Sequence, residues 1–208
     1  MKTLINHLLH NNIDKIVSKS LLNCHCPGLH SIMLLESPGK TIRLYISEPK
    51  NQMWKNFPEY YSDNSMSVAF HPHHCNLTLQ CVKGRFLNWE LKESSAGIYI
   101  QKFKYQSKIT KGKLKFKSEG YSYLATTDYR WVNEGDSISM PAHQIHTVAC
   151  EYDKWSAWLV YEGTEDKNYS SSCWSNSNPN EQVFENLYLK PTKQQIVNLL
   201  QEVGLLNN

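Results

Sequence analysis

The sequence has no long hydrophobic run and no strong excess of charge of either sign. No segment approaches the roughly 20 consecutive apolar residues that a membrane-spanning helix needs, and polar Asn6, His7 and His10 interrupt the apolar positions near the N-terminus. The formal net charge is only +3, so bulk electrostatics select no particular partner. These features predict a chain that is neither exported nor membrane-bound, and hence a cytoplasmic protein.

Cysteines are present, but neither a disulfide scaffold nor a zinc finger is apparent. The 208 residues include six cysteines, which we interpret as reduced thiols because no secretory segment is apparent. Cys24, Cys26 and the nearby His30 are spaced like the ligands of a metal site, but a second pair of Cys or His ligands at zinc-finger distance is missing. The sequence therefore favours buried thiols over a local zinc site, with the role of Cys24 and Cys26 left open.

The sequence divides into three parts. Apolar positions at helical spacing predict a helical segment in residues 1–28, within which Asn12 can cap a second short helix. Residues 29–165 consist of short β-branched and aromatic segments separated by turn residues, which is typical of an all-β barrel or sandwich. The composition and apolar spacing of residues 166–208 predict a Ser/Asn-rich irregular excursion, followed by a C-terminal helix packed on the barrel. No internal repeat is present.

The predicted strands follow the alternation of apolar and polar residues in this β-rich body. They cover residues 31–36, 41–47, 66–71, 77–83, 85–92, 97–105, 113–117, 121–125, 137–140, 145–150 and 155–161. The C-terminal helix has a clear start, because Thr192 followed by Gln195 fits a capping box, and Gly204 is a plausible end.

Lysines alternate with aromatic residues between positions 102 and 117. A nucleic-acid surface would place the lysines on phosphates and the aromatic rings against bases. A β-hairpin turning near Lys111 and Gly112 would instead direct the lysines to solvent and the aromatic rings to the core. The strict alternation favours the hairpin, so nucleic acid is not expected as a partner.

Histidines form the most informative pattern in the chain. His71 and His73 lie on the same face if this segment is extended, and Pro72 between them suits an edge, a strand start or a bulge. Two imidazoles need a third ligand to hold a transition metal, and His146 is the natural candidate. A one-residue bulge after Pro72 would turn His74 inward, which makes His74 the alternative ligand.

The segment around His146 resembles the second signature of the cupin superfamily. Gly135, Pro141 and His146 match that signature in register, whereas His143 stands where the family usually has glycine. The resemblance implies a jelly-roll-type cupin β-barrel, with the N-terminal helices and the C-terminal helix outside it.

The segment that begins at His71 resembles the first cupin signature. His71, His73 and Gly84 match it, but the acidic position of the motif falls on Leu77. Because leucine cannot bind a metal, the resemblance implies an all-histidine site similar to that of the cysteine dioxygenase-like thiol dioxygenases. Three imidazoles suit one divalent transition metal, with Fe(II) the preferred candidate and Zn, Ni and Cu as alternatives.

The resemblance also implies a function. We expect a mononuclear Fe(II) dioxygenase that oxidises a small molecule, with thiols among the candidate substrates, using O2. Arg43 resembles in rough placement the arginine that holds a substrate carboxylate, with a simple surface residue as the alternative. His143 would lie near the entrance of the site, as a functional group or as a loop histidine bonded to backbone.

The alternative is a non-catalytic cupin that binds metal or a small ligand as a sensor or interaction domain, since cupins host both kinds of function. In either case the expected partners are small molecules, without nucleic acid or membrane. Pairing into a homodimer through exposed strands is also considered.

Overall fold

The computed structural model describes residues 2–51, 70–110, 113–166, 172–176 and 188–207, with only the backbone described at 105–110 and 113–115. These residues form two helices and ten strands. In chain order they are α1 (Lys2–Lys19), β1 (Leu29–Ser37), β2 (Lys40–Ser47), β3 (Cys75–Lys83), β4 (Arg85–Ser94), β5 (Ile98–Thr110), β6 (Lys113–Asn133), β7 (Ser137–Met140), β8 (Ile145–Cys150), β9 (Ser156–Glu165), β10 (Ser172–Ser175) and α2 (Lys193–Glu202). Neither helix combines the length and the apolar character that crossing a membrane requires.

The strands form two five-stranded antiparallel sheets that face each other. The first has the order β1-β2-β9-β3-β7 and the second the order β10-β5-β6-β4-β8. Leu79 and Trp158 of the first sheet share one buried cluster with Phe86, Leu87 and Ile100 of the second. This arrangement confirms the predicted all-β architecture with a helix near each end, and its core lies between the two inner faces.

The two helices cover the outer face of the first sheet. Ile5 and Ile16 of α1 are buried together with Ile196 and Leu200 of α2 and with Leu44 of β2. Because side chains alternate along a strand, β2 contributes Leu44 to this outer cluster and its neighbour Tyr45 to the inner one. The first sheet is therefore covered on both faces.

Several local predictions are confirmed. Non-helical angles at Asn12 (φ −138°) divide α1 into two helical segments. Thr192 and Gln195 form the predicted capping box: the Thr192 hydroxyl accepts from the Gln195 backbone N–H, and the Gln195 side chain accepts from the Thr192 N–H. Gly204 follows α2 with φ +76°, a conformation that glycine adopts without strain.

Two predictions about the strands need correction. The strands predicted at 113–117 and 121–125 are one continuous strand, β6. The register with β5 shifts next to Gly120 (φ +91°), but the pairing of the two strands continues. The predicted irregular excursion contains β10, because Trp174 is buried and its indole N–H donates to the Ser122 hydroxyl at 2.8 Å. The predicted strand 66–71 lies largely outside the described residues, and only Phe70 and His71 form isolated bridges.

The lysine-rich segment is a hairpin. The paired strands β5 and β6 place Thr110 opposite Lys113, on either side of the predicted turn. Phe103 and Phe116 are buried, whereas Lys104 and Lys117 are exposed. Within the side chains that are described, the alternation therefore separates a core face from a solvent face, as expected.

Candidate metal centre

Residues Phe70 and His71 connect the two edge strands of the second sheet. Phe70 exchanges backbone hydrogen bonds with Trp174 of β10 at 3.0 and 2.8 Å, and His71 exchanges them with His146 of β8 at 3.1 and 3.2 Å. The two histidines are therefore direct neighbours across this bridge. His71 and His73 precede β3, which begins only at Cys75, so their orientation does not depend on the alternation of side chains along a regular strand.

A turn before β8 holds the backbone next to His73. The His143 N–H donates to the His73 carbonyl at 3.0 Å, and the Gln144 N–H donates to the Pro141 carbonyl at 3.3 Å. His143 has φ +69°, a left-handed conformation that is costly for a residue with a Cβ. His143 stands where the cupin signature usually has glycine, and its backbone conformation is one that glycine adopts most easily.

His71, His73 and His146 converge on one point. One ring nitrogen from each lies within 4.8 Å of the others, and the Nε2 atoms of His73 and His146 are 3.0 Å apart. His74 points elsewhere: its Nε2 lies 3.3 Å from a Glu165 carboxylate oxygen, and its side chain is 42% exposed. The geometry brings His73, and not the alternative His74, next to His146.

A buried amide orients one of the three rings. The His146 Nδ1–H donates to the Asn88 side-chain oxygen at 2.9 Å, which leaves the lone pair on Nε2, the nitrogen nearest His73. Asn88 is fully buried on β4, and its amide N–H donates to Glu90 at 2.9 Å. This is the arrangement by which metal-binding histidines are commonly held in one tautomer.

The cluster also contains an unsatisfied nitrogen. His71 Nδ1 is buried and has no hydrogen-bond partner among the described residues, a condition that costs about 1–3 kcal/mol for a polar atom. A cation bound by the cluster would relieve part of this cost, and three imidazoles are a donor set that divalent transition metals accept. The residues present therefore fit such an ion.

Burial keeps the three imidazoles neutral. It lowers the pKa of His146 to about 3 and the pKa of both His71 and His73 well below the usual value, and neighbouring imidazoles lower each of them further. At neutral pH the ring nitrogens consequently present lone pairs, which is the form that binds metals.

A cavity of about 70 Å³ adjoins the triad, enough for several water molecules or a small ligand. Its walls are mainly apolar side chains from both sheets, namely Leu29, Leu77, Leu79, Val148, Trp158 and Val160. Glu162 contributes a carboxylate to the lining. Glu162 of β9 is paired in register with Leu77 of β3, so an acid lies opposite the position where the cupin motif has one. Sequence reasoning missed Glu162 because only the strand register reveals this pairing.

Arg43 and His143 lie near the cavity, although neither is among the described residues that line it. The Arg43 Nε is 3.4 Å from a Glu162 carboxylate oxygen, and its guanidinium also donates to the Ser31 hydroxyl at 3.3 Å. The His143 Nε2 is 2.8 Å from an Asp166 carboxylate oxygen, with its side chain 43% exposed. Their proposed catalytic roles remain predictions.

A fourth histidine, His25, lines the cavity and was missed by the sequence reasoning. Its ring centroid lies 5.4 Å from that of His71, and its Nδ1 is 3.1 Å from the Tyr188 hydroxyl. Burial, with a further contribution from Arg43, lowers the pKa of His25 to about 4. The only signal in the sequence was its place between Cys24 and Cys26, which does not reveal that this segment folds against the triad.

The thiols beside His25 are buried and protonated. All six cysteines of the chain are free, and burial raises the pKa of Cys24 to about 12 and that of Cys26 further still. The two nitrogens of His30 lie instead near the Asn23 N–H, at 3.3 Å, and a Glu48 carboxylate oxygen, at 3.1 Å. In the part of the chain that the structure describes, His71, His73 and His146 are the cluster suited to a metal.

Comparison with known proteins shows similarity at the level of fold. No protein-family model matches the sequence, and no curated protein matches it. Among solved structures, hydroxypropylphosphonic acid epoxidase from S. wedmorenis is 12% identical with a TM-score of 0.39, covering 70% of this chain and 56% of that one.

Two further solved structures with a similar fold are described as cupins. A cupin superfamily protein from Desulfitobacterium hafniense is 12% identical with a TM-score of 0.36, covering 66% of this chain and 78% of its own. A cupin domain from Bordetella pertussis is also 12% identical, with a TM-score of 0.35, covering 66% of this chain and 95% of its own. Cupins are thus among the structural neighbours, and the epoxidase match spans little more than half of that enzyme.

Proposed function

We propose that this protein is a mononuclear metal-dependent oxidoreductase in which His71, His73 and His146 bind one divalent transition metal. The observation that carries the proposal is the convergence of three neutral imidazoles, those of the buried His146 and of the partly buried His71 and His73, on a small cavity with mainly apolar walls. Fe(II) is the preferred ion and O2 the preferred oxidant, with thiols among the candidate substrates. Zn, Ni and Cu are alternatives that the same ligands accept.

The protein's own residues have separable tasks in this proposal. Asn88 holds His146 in the tautomer that presents Nε2 to the ion. The apolar wall formed by residues such as Leu77 and Trp158 limits water at the site, which strengthens electrostatic interactions inside it. When bound, Fe(II) supplies open coordination positions and electrons for the oxidation of a substrate by O2.

Arg43 and His143 are proposed to act on the substrate rather than on the metal. Arg43 faces the barrel interior beside Glu162 and would hold a substrate carboxylate through its planar guanidinium. His143 sits on the turn that enters β8 and is joined to Asp166, a location suited to binding or proton transfer at the entrance. A small-molecule substrate, a cytoplasmic location and a homodimer complete the proposal.

The test begins with metal content. The 208-residue chain, purified without a histidine tag, would be analysed for bound metals and then reconstituted anaerobically with Fe(II). Oxygen consumption would be followed with a panel of small thiols and diketones. We expect one metal per chain and substrate-dependent oxygen uptake. A folded protein that binds no stoichiometric metal would contradict the proposal, and metal binding without oxygen uptake would favour the sensor function.

A matched pair of variants sharpens this test. His73→Ala removes an imidazole of the cluster, whereas His74→Ala removes its neighbour in sequence, which is directed toward Glu165. We expect His73→Ala to lose stoichiometric metal and His74→Ala to retain it. Loss of metal in His74→Ala with retention in His73→Ala would reverse the assignment of the ligand.

A further inference from the structure

We propose that His25 is a positioning residue that donates a hydrogen bond from Nε2 to an anionic ligand bound at the triad. This inference rests on the proposed metal site and extends it to the class of ligand the site accepts. The residue comes from the segment between α1 and β1, outside the motifs that define the triad.

The position of His25 supports this role. Its side chain forms part of the cavity wall, and its ring lies 5.4 Å from the His71 ring, centroid to centroid. The contact with Tyr188 uses Nδ1, so Nε2 is the nitrogen that remains for a ligand.

Tyr188 determines which nitrogen carries the hydrogen. The Tyr188 ring packs edge-on against His25, and its hydroxyl lies 3.1 Å from Nδ1. When the hydroxyl donates to Nδ1, the neutral ring must carry its hydrogen on Nε2. His25 then presents a donor to the cavity, whereas the ligand histidines present lone pairs.

The backbone around this pair is strained in a way that points to function. Asn23, His25 and Tyr188 all have left-handed φ angles, +52°, +70° and +56°. Each such residue costs about 1–3 kcal/mol and persists only where the surroundings impose it. Here the Tyr188 N–H donates to the Asn23 carbonyl at 3.1 Å, which fastens the two segments together and fixes His25 beside the triad.

The positive charge of a bound metal ion favours an anionic ligand at this site. A divalent ion held by three neutral imidazoles retains its full positive charge. The Glu162 carboxylate in the cavity lining lies 3.4 Å from the Arg43 Nε, so it compensates that charge only in part, which is unfavourable between apolar walls. An anionic donor atom, such as a thiolate or a deprotonated oxygen, neutralises part of that charge. A hydrogen bond from His25 Nε2 to the anion would add a charge-assisted contact, while the apolar walls accept the remainder of a small ligand.

Anion binding to the cobalt-loaded protein tests the inference. Wild type and variants would be reconstituted with Co(II), and azide would be titrated while the visible absorption of cobalt is followed. We expect His25→Ala to bind azide at least about tenfold more weakly, with Co(II) affinity unchanged. His25→Gln, whose amide N–H can replace Nε2–H, should recover part of the loss.

Two further variants separate a positioning role from a structural one. Tyr188→Phe keeps the ring and removes the hydroxyl that orients His25, so it should weaken azide binding about fivefold, and it remains informative if His25→Ala does not fold. His30→Gln changes another buried histidine, one that does not line the cavity, and should leave azide affinity unchanged.

The outcomes distinguish this inference from the proposed function. Azide affinities within about twofold of wild type in the cobalt-loaded His25 and Tyr188 variants would overturn the role of His25 alone. A wild-type protein that binds no Co(II) would overturn the proposed metal site and this inference with it.

Discussion

His146 and Asn88 are joined by a hydrogen bond of 2.9 Å between Nδ1 and the amide oxygen. The two residues lie on adjacent strands, since Asn88 of β4 is paired with Val148 of β8, two positions from His146. The bond thus connects the His146 side chain of the edge strand β8 to β4, an inner strand of the second sheet. Because Asn88 is fully buried and His146 nearly so, this contact is shielded from bulk solvent.

Removal of this amide should weaken metal binding. Asn88→Ala leaves the His146 Nδ1–H unsatisfied and frees the ring to adopt the other tautomer, so we expect Co(II) affinity to fall about 10–100-fold. Competition with a chromophoric chelator measures the change. Asn133→Ala, at an exposed turn where Asn133 contacts Asp136, is the matched control and should leave affinity unchanged. Equal affinities in wild type and Asn88→Ala would contradict the orienting role.

The metal-free protein should lose stability as the pH falls below about 6.5. Burial lowers the pKa of His146 to about 3 and holds that of His71 well below its usual value, whereas the unfolded chain titrates near 6.5. Between these values the unfolded state binds more protons, so stability rises with pH by about 1.4 kcal/mol per unit for each such histidine.

Urea unfolding of the metal-free protein at pH 5.5, 6.5 and 7.5 measures this slope. His146→Gln removes one titrating group while keeping a side chain of similar size, and it should reduce the slope by about one proton. His10→Gln, on an exposed face of α1, should leave it unchanged. A slope unaltered in His146→Gln would show that this ring does not remain neutral in the folded state.

Trp174 should be important for both stability and the site. It is buried, and its backbone pairs with Phe70, the residue before His71. We expect Trp174→Ala to cost about 3–5 kcal/mol of unfolding free energy and to weaken Co(II) binding. Trp131→Ala removes a tryptophan that is 39% exposed and should cost less than about 1 kcal/mol. Comparable losses from both variants would contradict the proposed docking of β10.

His143 should tolerate glycine better than a branched residue. Its φ of +69° is accessible to glycine without strain, and the exposed contact with Asp166 contributes little. We therefore expect His143→Gly to change the unfolding free energy by less than about 1 kcal/mol. His143→Val should destabilise by about 2 kcal/mol or more. Thermal and urea unfolding compare the two, and a stable valine variant would contradict the left-handed backbone.

Local signals in the sequence predicted local structure well. The Thr192 capping box and the break at Asn12 depend on neighbouring residues only, so no tertiary information is needed to find them. Gly84 resembles them only in its local φ of +67°. A Cβ there would also lie 2.5 Å from the carbonyl oxygen of the distant Trp155, so a tertiary contact adds to the requirement for glycine. At a motif position such as Gly84, the conformation and surroundings of the backbone explain why the residue is glycine.

Predictions failed where a contact depends on distant segments. Strand β10 lies in a stretch that composition marks as irregular, and it forms because Trp174 docks beside Phe70, more than a hundred residues earlier. The expected separation of β6 into two strands was wrong because pairing with β5 continues past Gly120 to Leu124, and pairing with β4 extends from Tyr123 to Asn133. Cooperative pairing of this kind overrides local propensity.

The sequence by itself determined the all-β architecture, the terminal helices and the three histidines best placed to bind a metal, because periodicity and turn chemistry are local properties. Only the tertiary structure decided that His73 rather than His74 turns inward, that Glu162 lies opposite Leu77, and that His25 reaches the cavity. These relationships depend on strand register and on the docking of remote segments, which no single stretch of the sequence encodes.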